Sequence, residues 1–426
     1  MEIQRDYYLN KLIDRKRNGL IKVVTGVRRC GKSYLLNTLF YRHLLDSGVP
    51  EDHIIKFAFD SADDLDLIGE DLIKLQKARK KVDPEKFLKY IRSQLLDKEM
   101  YYLLLDEVQM MDAFEAVLNG YLRKDNVDVF VTGSNAKFLS RDIITEFAGR
   151  GDEIHMYPLC FSEYMTAYPG DKYEGLSQYL LYGGIPLVVL QKDENDKAAT
   201  LQNLFREIYI RDIVERHRVR NQGDLEELLN TVSSAVGSLT NPEKLKNTFR
   251  SVKKSTITAA TICKYLGYFE DSFLLESALR YDIKGRAYID TPKKYYFSDL
   301  GLRNARINFR QIEPNHAMEN IIYNELRMRG YHVDIGVVPI TEQNKRKQLE
   351  VDFICNLGSK RYYIQSAYSI PDEEKRLQET RPFTKIDDSF KKIVVTRDIV
   401  PTQYDDRGIL TINVYDFLLN PSALER

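Results

Sequence analysis

From residue 19 to about 160 the chain alternates short β-branched runs with stretches of helical spacing, the pattern of a parallel sheet covered by helices. The predicted strands are IKVVT (21–25), IIKFAF (54–59), YYLLL (101–105), VDVFVT (127–132) and EIHMYPL (153–159). Four of these are near-continuous apolar runs, as expected where both faces of a strand are buried. Apolar positions recurring with helical spacing predict helices at 33–45, 84–96 and 113–122 between them.

Beyond Pro158 the pattern turns helical. YLLYGGIP (179–186) interrupts it with Gly and Pro, and a long polar helix is predicted from about Asp193 to Arg220, which reads as a lid. Residues 240–300 read as two helices followed by two strands, an order compatible with a winged helix. From about 313 a helix (315–329) precedes strands near 331–338, 349–355 and 361–367, then a further helix and the strand KIVVT, a second α/β region.

Length and composition narrow the function classes. A chain of 426 residues exceeds one ordinary core, and boundaries are expected at 1–165, 166–238, 239–312 and 313–426. Hydrophobic residues at 43% and charged residues at 30% describe a globular chain, and no apolar run approaches the roughly 18 residues of a membrane span. The first residues mix both charge signs around no apolar centre, which predicts a cytoplasmic protein without membrane partners. Cys30, Cys160, Cys263 and Cys355 lie far apart with no zinc-ligand spacing and read as reduced thiols. Lys plus Arg and Asp plus Glu both total 63, so net charge gives no pointer to nucleic acid.

The segment Gly26–Ser33, GVRRCGKS, fits G-x-x-x-x-G-K-[ST] between a predicted strand and a predicted helix. In that context Gly26 and Gly31 permit a tight loop, and the N–H groups of Val27, Arg28, Arg29, Cys30, Lys32, Ser33 and Tyr34 lie where the positive helix end faces phosphate. Lys32 reaches the β and γ phosphates of ATP, Ser33 ligates Mg²⁺, and Arg28 and Arg29 add positive charge at the rim. YYLLLDEV ends a strand with Asp106, expected to hold Mg²⁺, and Glu107, expected to activate water. Ser134 after the next strand is a candidate sensor of the γ-phosphate, with a polar turn as the alternative. Arg150 is a candidate phosphate-reaching guanidinium, with a solvated loop arginine as the alternative.

The succession GVRRCGKS, LLLDEVQ, VTGSN, FAGRG, PLCFSEY and YLLYGGIP resembles a family of prokaryotic and archaeal AAA-superfamily P-loop ATPases, over nearly the whole chain. The resemblance implies an α/β fold with a P-loop NTPase core, a helical lid, a winged-helix segment and a C-terminal nuclease-like domain. It implies Walker A roles for Lys32 and Ser33, a Walker B pair in Asp106 and Glu107, a sensor in Ser134, and an arginine finger in Arg150. If Arg150 acts on a second copy, oligomers follow.

The winged-helix segment presents Ser255, Thr256, Thr258 and Lys264 to a DNA backbone or, in the alternative, to a protein partner. Farther on, Glu319, Ile322, Leu326 and Gly330, then EVDFI (350–354) and YYIQSA (362–367), resemble the restriction-endonuclease-like fold. There a helix glutamate, a strand aspartate and a Glu-x-Lys pair gather Mg²⁺. Glu319 and Asp352 match, with Glu350 beside them, yet Gln365 and Ala367 stand where the Glu and Lys belong. A degenerate site without nuclease activity is expected unless Lys375 or Lys391 substitutes. ATP turnover driving a conformational change is the leading expectation, an ATP-binding switch with little turnover the alternative.

Overall fold

The computed structural model describes residues 3–133, 149–310 and 312–425, with the side chains of 207–209 left undescribed. It divides into two compact units: the chain up to Met156 together with Asp271–Phe273, and Tyr157–Glu270 together with the chain from Leu274 onward. The α/β class expected from the pattern is what forms.

In the first unit, β1 (Ile21–Thr25), β2 (Ile54–Ala58), β3 (Tyr101–Asp106), β4 (Val127–Thr132) and β5 (Gly151–His155) make one parallel sheet in the order β2-β3-β4-β1-β5. Every residue of β1, β3 and β4 is buried, as their uninterrupted apolar runs require. Alternate residues Ile21 and Val23, Phe57, Leu103 and Leu105, and Val129 and Val131 share one face and pack with Phe87, Ile91 and Leu118 from the helices Pro84–Gln94 and Phe114–Tyr121. Each such aliphatic side chain removed from water contributes about 1.5–3 kcal/mol. The strand predicted at 153–159 forms instead over Gly151–His155, its last bond to β1 running from the Met156 N–H to the Thr25 carbonyl at the rim of the sheet.

The second unit holds a nine-stranded sheet, ordered β13-β14-β12-β11-β10-β9-β7-β8-β6. Its members are β6 (Leu239–Thr240), β7 (Leu275–Asp282), β8 (Ala287–Phe297), β9 (His332–Glu342), β10 (Lys345–Leu357), β11 (Lys360–Ala367), β12 (Lys391–Thr396), β13 (Gln403–Tyr404) and β14 (Ile409–Asn413). β7 pairs in parallel with β9 through Arg280, Tyr281 and Asp282, so strands from both sides of position 312 belong to one sheet. The long polar helix predicted from Asp193 to Arg220 forms as Glu194–Asn203 continuing through a π-helical stretch, Leu204–Ile210, into Arg211–His217. Among the described residues no helix is long and apolar enough to cross a membrane.

Candidate functional site

The carboxyl ends of β1, β3 and β4 converge on the loop Gly26–Gly31. Gly26 has φ +137° and Gly31 φ +103°, values that side-chain-bearing residues avoid. A Cβ on Gly26 would stand 2.1 Å from the Met156 carbonyl oxygen, so glycine is needed for both reasons. The loop is anchored from outside as well: Arg5, buried ahead of the helix Asp6–Asp14, donates to the Cys30 carbonyl at 3.0 Å. Lys32 is buried, and its ammonium donates to the carbonyls of Gly26 and Val27 at 2.9 and 3.0 Å. Those partners are neutral, so the ammonium keeps its charge for an anion cradled by the loop. Val27 and Cys30 point inward, whereas Arg29, Ser33 and Tyr34 are exposed and Arg28 is half-buried. The helix Lys32–Tyr34 continues through a π-helical stretch, Leu35–Phe40, into Tyr41–Asp46.

Asp106 ends β3 and is 6% exposed. Burial raises its carboxyl above the usual range; hydroxyl hydrogen bonds from Ser33 and Thr132 oppose that, the neighbouring Glu107 adds to it, and Lys32 opposes it. Thr132, buried at the end of β4, donates to Asp106 and accepts the Glu107 N–H at 3.1 Å, so one hydroxyl fixes both acids. Glu107 itself has φ +52°, and the Gln109 amide donates to its carboxylate. A third acid, Asp60 after β2, joins them: burial, then Asp106 and Glu107, raise its carboxyl. Arg5, Asp60 and Thr132 were missed in the sequence. Thr132 sits inside the quoted run VDVFVT, but which hydroxyl faces Asp106 is decided by β3–β4 register.

A magnesium ion fits this donor set. Among the described residues no three His, Cys, Asp or Glu side chains are arranged to hold a metal. Mg²⁺ bound to a nucleotide needs only one or two protein oxygens beside phosphates and water, and the hydrogen-bonded Ser33 and Asp106 could supply them.

Ser134 lies outside the described residues. Arg150 is not brought to the site. It is exposed, and its carbonyl accepts the Ile21 N–H at 2.9 Å, at the start of β1 and β5, whereas the loop leaves β1 at its end. Five strand residues separate those edges, roughly 16 Å at about 3.3 Å per residue. Reach to the same chain's loop is thereby ruled out.

In the second unit the nuclease-like residues do gather. Glu319 from the helix Pro314–Met328 and Glu350 and Asp352 from β10 surround one buried ammonium, that of Lys294 on β8, while Gln365 from β11 accepts the Asp352 N–H at 3.4 Å. Lys294 lies 2.9 Å from Glu319 and 2.8 Å from Glu350, and Tyr296 donates to Glu319 at 2.7 Å. Burial works against this ammonium, but Glu319, Asp352 and Glu350 outweigh it and hold it above the ordinary lysine range. Burial and Glu319 push Asp352 well above the carboxylate range, with Lys294 and the Ser366 N–H opposing. Gln365 donates to Glu379, which pairs with Lys375 at 2.6 Å, while Lys391 donates to the Leu424 carbonyl at 3.2 Å. The lysine missing from β11 is thus supplied by neither expected residue, but by Lys294.

Of the winged-helix candidates, Ser255, Thr256 and Thr258 lie between the helices Pro242–Lys253 and Ala259–Asp271, and Lys264 lies on the second. Lys253 pairs with Glu227 at 3.1 Å, Ser255 donates to Asp224 at 3.0 Å, and the Thr258 hydroxyl accepts the Thr261 N–H at 3.1 Å. Lys254, Thr256 and Lys264 are exposed.

Residues 18–165 match a family described as an AAA domain, and residues 173–313 match a domain of unknown function (DUF8612). An uncharacterized protein of Haemophilus influenzae is 35% identical over 425 residues, covering 98% of each chain. An uncharacterized protein of Methanocaldococcus jannaschii is 28% identical over 432 residues, covering 97% of this chain and 88% of that one. Among solved structures, Cdc6p of Pyrobaculum aerophilum is similar at 12% identity and TM-score 0.32, covering 72% of this chain and 95% of that one. AMPPCP-bound DnaA of Aquifex aeolicus is similar at 14% identity and TM-score 0.29, covering 62% and 85%. TM-scores this low carry no functional inference.

Proposed function

Because the chain belongs to the family of the Haemophilus influenzae relative that it matches end to end, and its residues 18–165 form an AAA domain, we propose that it binds ATP with Mg²⁺ and hydrolyses it to drive a conformational change. The observation that carries this reading is the Ser33–Asp106–Thr132–Glu107 chain of hydrogen bonds beside the Lys32 ammonium. Lys32 and the loop N–H groups hold the phosphates, Ser33 and Asp106 hold the magnesium ion, and Glu107 takes the proton of the attacking water. The ion, when bound, neutralises phosphate charge. Arg150, which cannot reach its own loop, acts here only on the nucleotide of a second copy.

Steady-state phosphate release tests the proposal. Glu107→Gln is expected to keep ATP affinity and lower turnover by about 10²- to 10⁴-fold, since an amide cannot accept the proton. Turnover equal to the parent's would remove Glu107 from the reaction. A second reading, a switch that holds ATP with little turnover, is favoured by the Gln109 amide lying on the Glu107 carboxylate. Under that reading the parent releases little phosphate and Gln109→Ala releases more. DNA as the object of the motion is proposed through Lys253, Lys254 and Lys264. Duplex affinity should then fall with salt by about 0.9 log units per log unit for each phosphate contacted, and salt-insensitive binding would end that part.

A further inference from the structure

A cavity of ≈ 710 Å³ opens in the second unit, inside the 173–313 segment. Its walls are the π-helical stretch Leu204–Ile210, the helices Arg211–His217 and Gln222–Ser234, and the end of the helix Leu300–Arg306. Small-molecule sites commonly fall between about 300 and 1,000 Å³. A π-helical stretch is rare and recurs at functional sites; another among the described residues, Leu35–Phe40, directly follows Lys32–Tyr34.

Charge sets what the cavity accepts. Among the described side chains, Arg206, Arg211 and Arg306 line it together with two carboxylates, Glu215 and Glu226. Both acids are already engaged, Glu215 with Arg211 at 2.9 Å and Glu226 with Arg306 at 3.4 Å. Arg206 has no hydrogen bond or ion pair among the described residues, and the buried Nε of Arg306 has no acceptor. Arg306 is held over the Phe205 ring at 5.5 Å, and its terminal nitrogen donates to the Glu226 carbonyl at 3.0 Å, so its fork is oriented in advance. A guanidinium with open donors is shaped for the paired oxygens of a phosphate.

We propose that this cavity binds a small phosphate-bearing molecule, held by Arg206 and Arg306. The proposal stands apart from the ATP reading, and its test separates the two by using the full chain carrying Lys32→Ala. Calorimetric titration with pyrophosphate and with AMP is expected to show one-to-one binding of at least one of them. Arg206→Glu, at an exposed position, should weaken it about tenfold, the worth of one charge-assisted contact. Gln202→Trp, which fills the space, should abolish it, with circular dichroism and melting temperature of both variants matching the parent. Binding of neither probe, or affinity unchanged by both replacements, overturns the proposal. Binding of a short DNA duplex that Arg206→Glu removes, with neither probe bound, overturns it in favour of nucleic acid.

Discussion

Two buried lysines, Lys32 in the first unit and Lys294 in the second, each lie beside buried acids, and their partners make them opposite kinds of site. Lys32 donates to two neutral carbonyls and leaves Asp106 to hydroxyls. Its charge remains available to an anion. Lys294 contacts Glu319 and Glu350 directly, and Tyr296 takes a further lone pair of Glu319. Its charge is consumed internally, where a divalent ion would otherwise have balanced the acids. An acidic cluster therefore says little about metal chemistry until the nearest cation is located.

The largest expected break of this contrast is Lys294→Ala, which leaves buried carboxylates uncompensated and should lower unfolding free energy by about 3–5 kcal/mol in urea titration. Lys32→Ala should cost far less stability while weakening ATP affinity about 10- to 100-fold by calorimetry, the loss of a charged contact worth about 1.5–3 kcal/mol. Equal effects on stability would erase the distinction.

A third buried acid, Asp299, sharpens the contrast because no lysine serves it. It accepts the N–H groups of Gly184 and Leu302 at 2.7 and 3.0 Å, and burial pushes its carboxyl up to about 6 against those hydrogen bonds. The unfolded chain, with an ordinary value of 3.8, loses this proton first as pH rises. Asp299 thus favours the folded state most below about pH 4, and that advantage declines as pH rises toward about 6. Relative to Asp299→Asn, the parent should lose about 3 kcal/mol across that window, from 2.2 units at about 1.4 kcal/mol each. A parent–variant difference constant from pH 4 to 6 would refute this.

The smallest effect is expected at Thr132→Val, which keeps shape but strips the hydroxyl shared by Asp106 and the Glu107 N–H. Stability should fall by about 1–3 kcal/mol, and phosphate release should fall more than ATP affinity. Unchanged turnover in a folded variant would make Thr132 purely structural.

How much was legible follows from how far apart the partners lie. Gly26–Ser33 was readable because a strand, a tight turn and a helix made from contiguous residues carry loop, cation and hydroxyl together, and the positive φ at Gly26 and Gly31 is a local demand. Asp106 and Glu107 were readable for the same reason, at the end of an apolar strand whose burial fixes its register. The sequence also placed Glu319, Glu350, Asp352 and Gln365 as one group, and noticed that a lysine was absent from it. Where the cation comes from was beyond its reach. Lys294 arrives on β8 because β8 pairs with β7, β7 runs parallel to β9, and β9 pairs with β10; the first and last are local hairpins, but the β7–β9 pairing, Arg280 opposite Ile335, joins segments with no sequence proximity. Likewise Arg5 reaches the Cys30 carbonyl across 25 residues, and Thr132 reaches Asp106 across 26. Local geometry and periodicity determined the strands, the phosphate loop and the acids; only tertiary packing decided which charge each acid meets, because a charge's partner is set by distance in space and the shielding of burial.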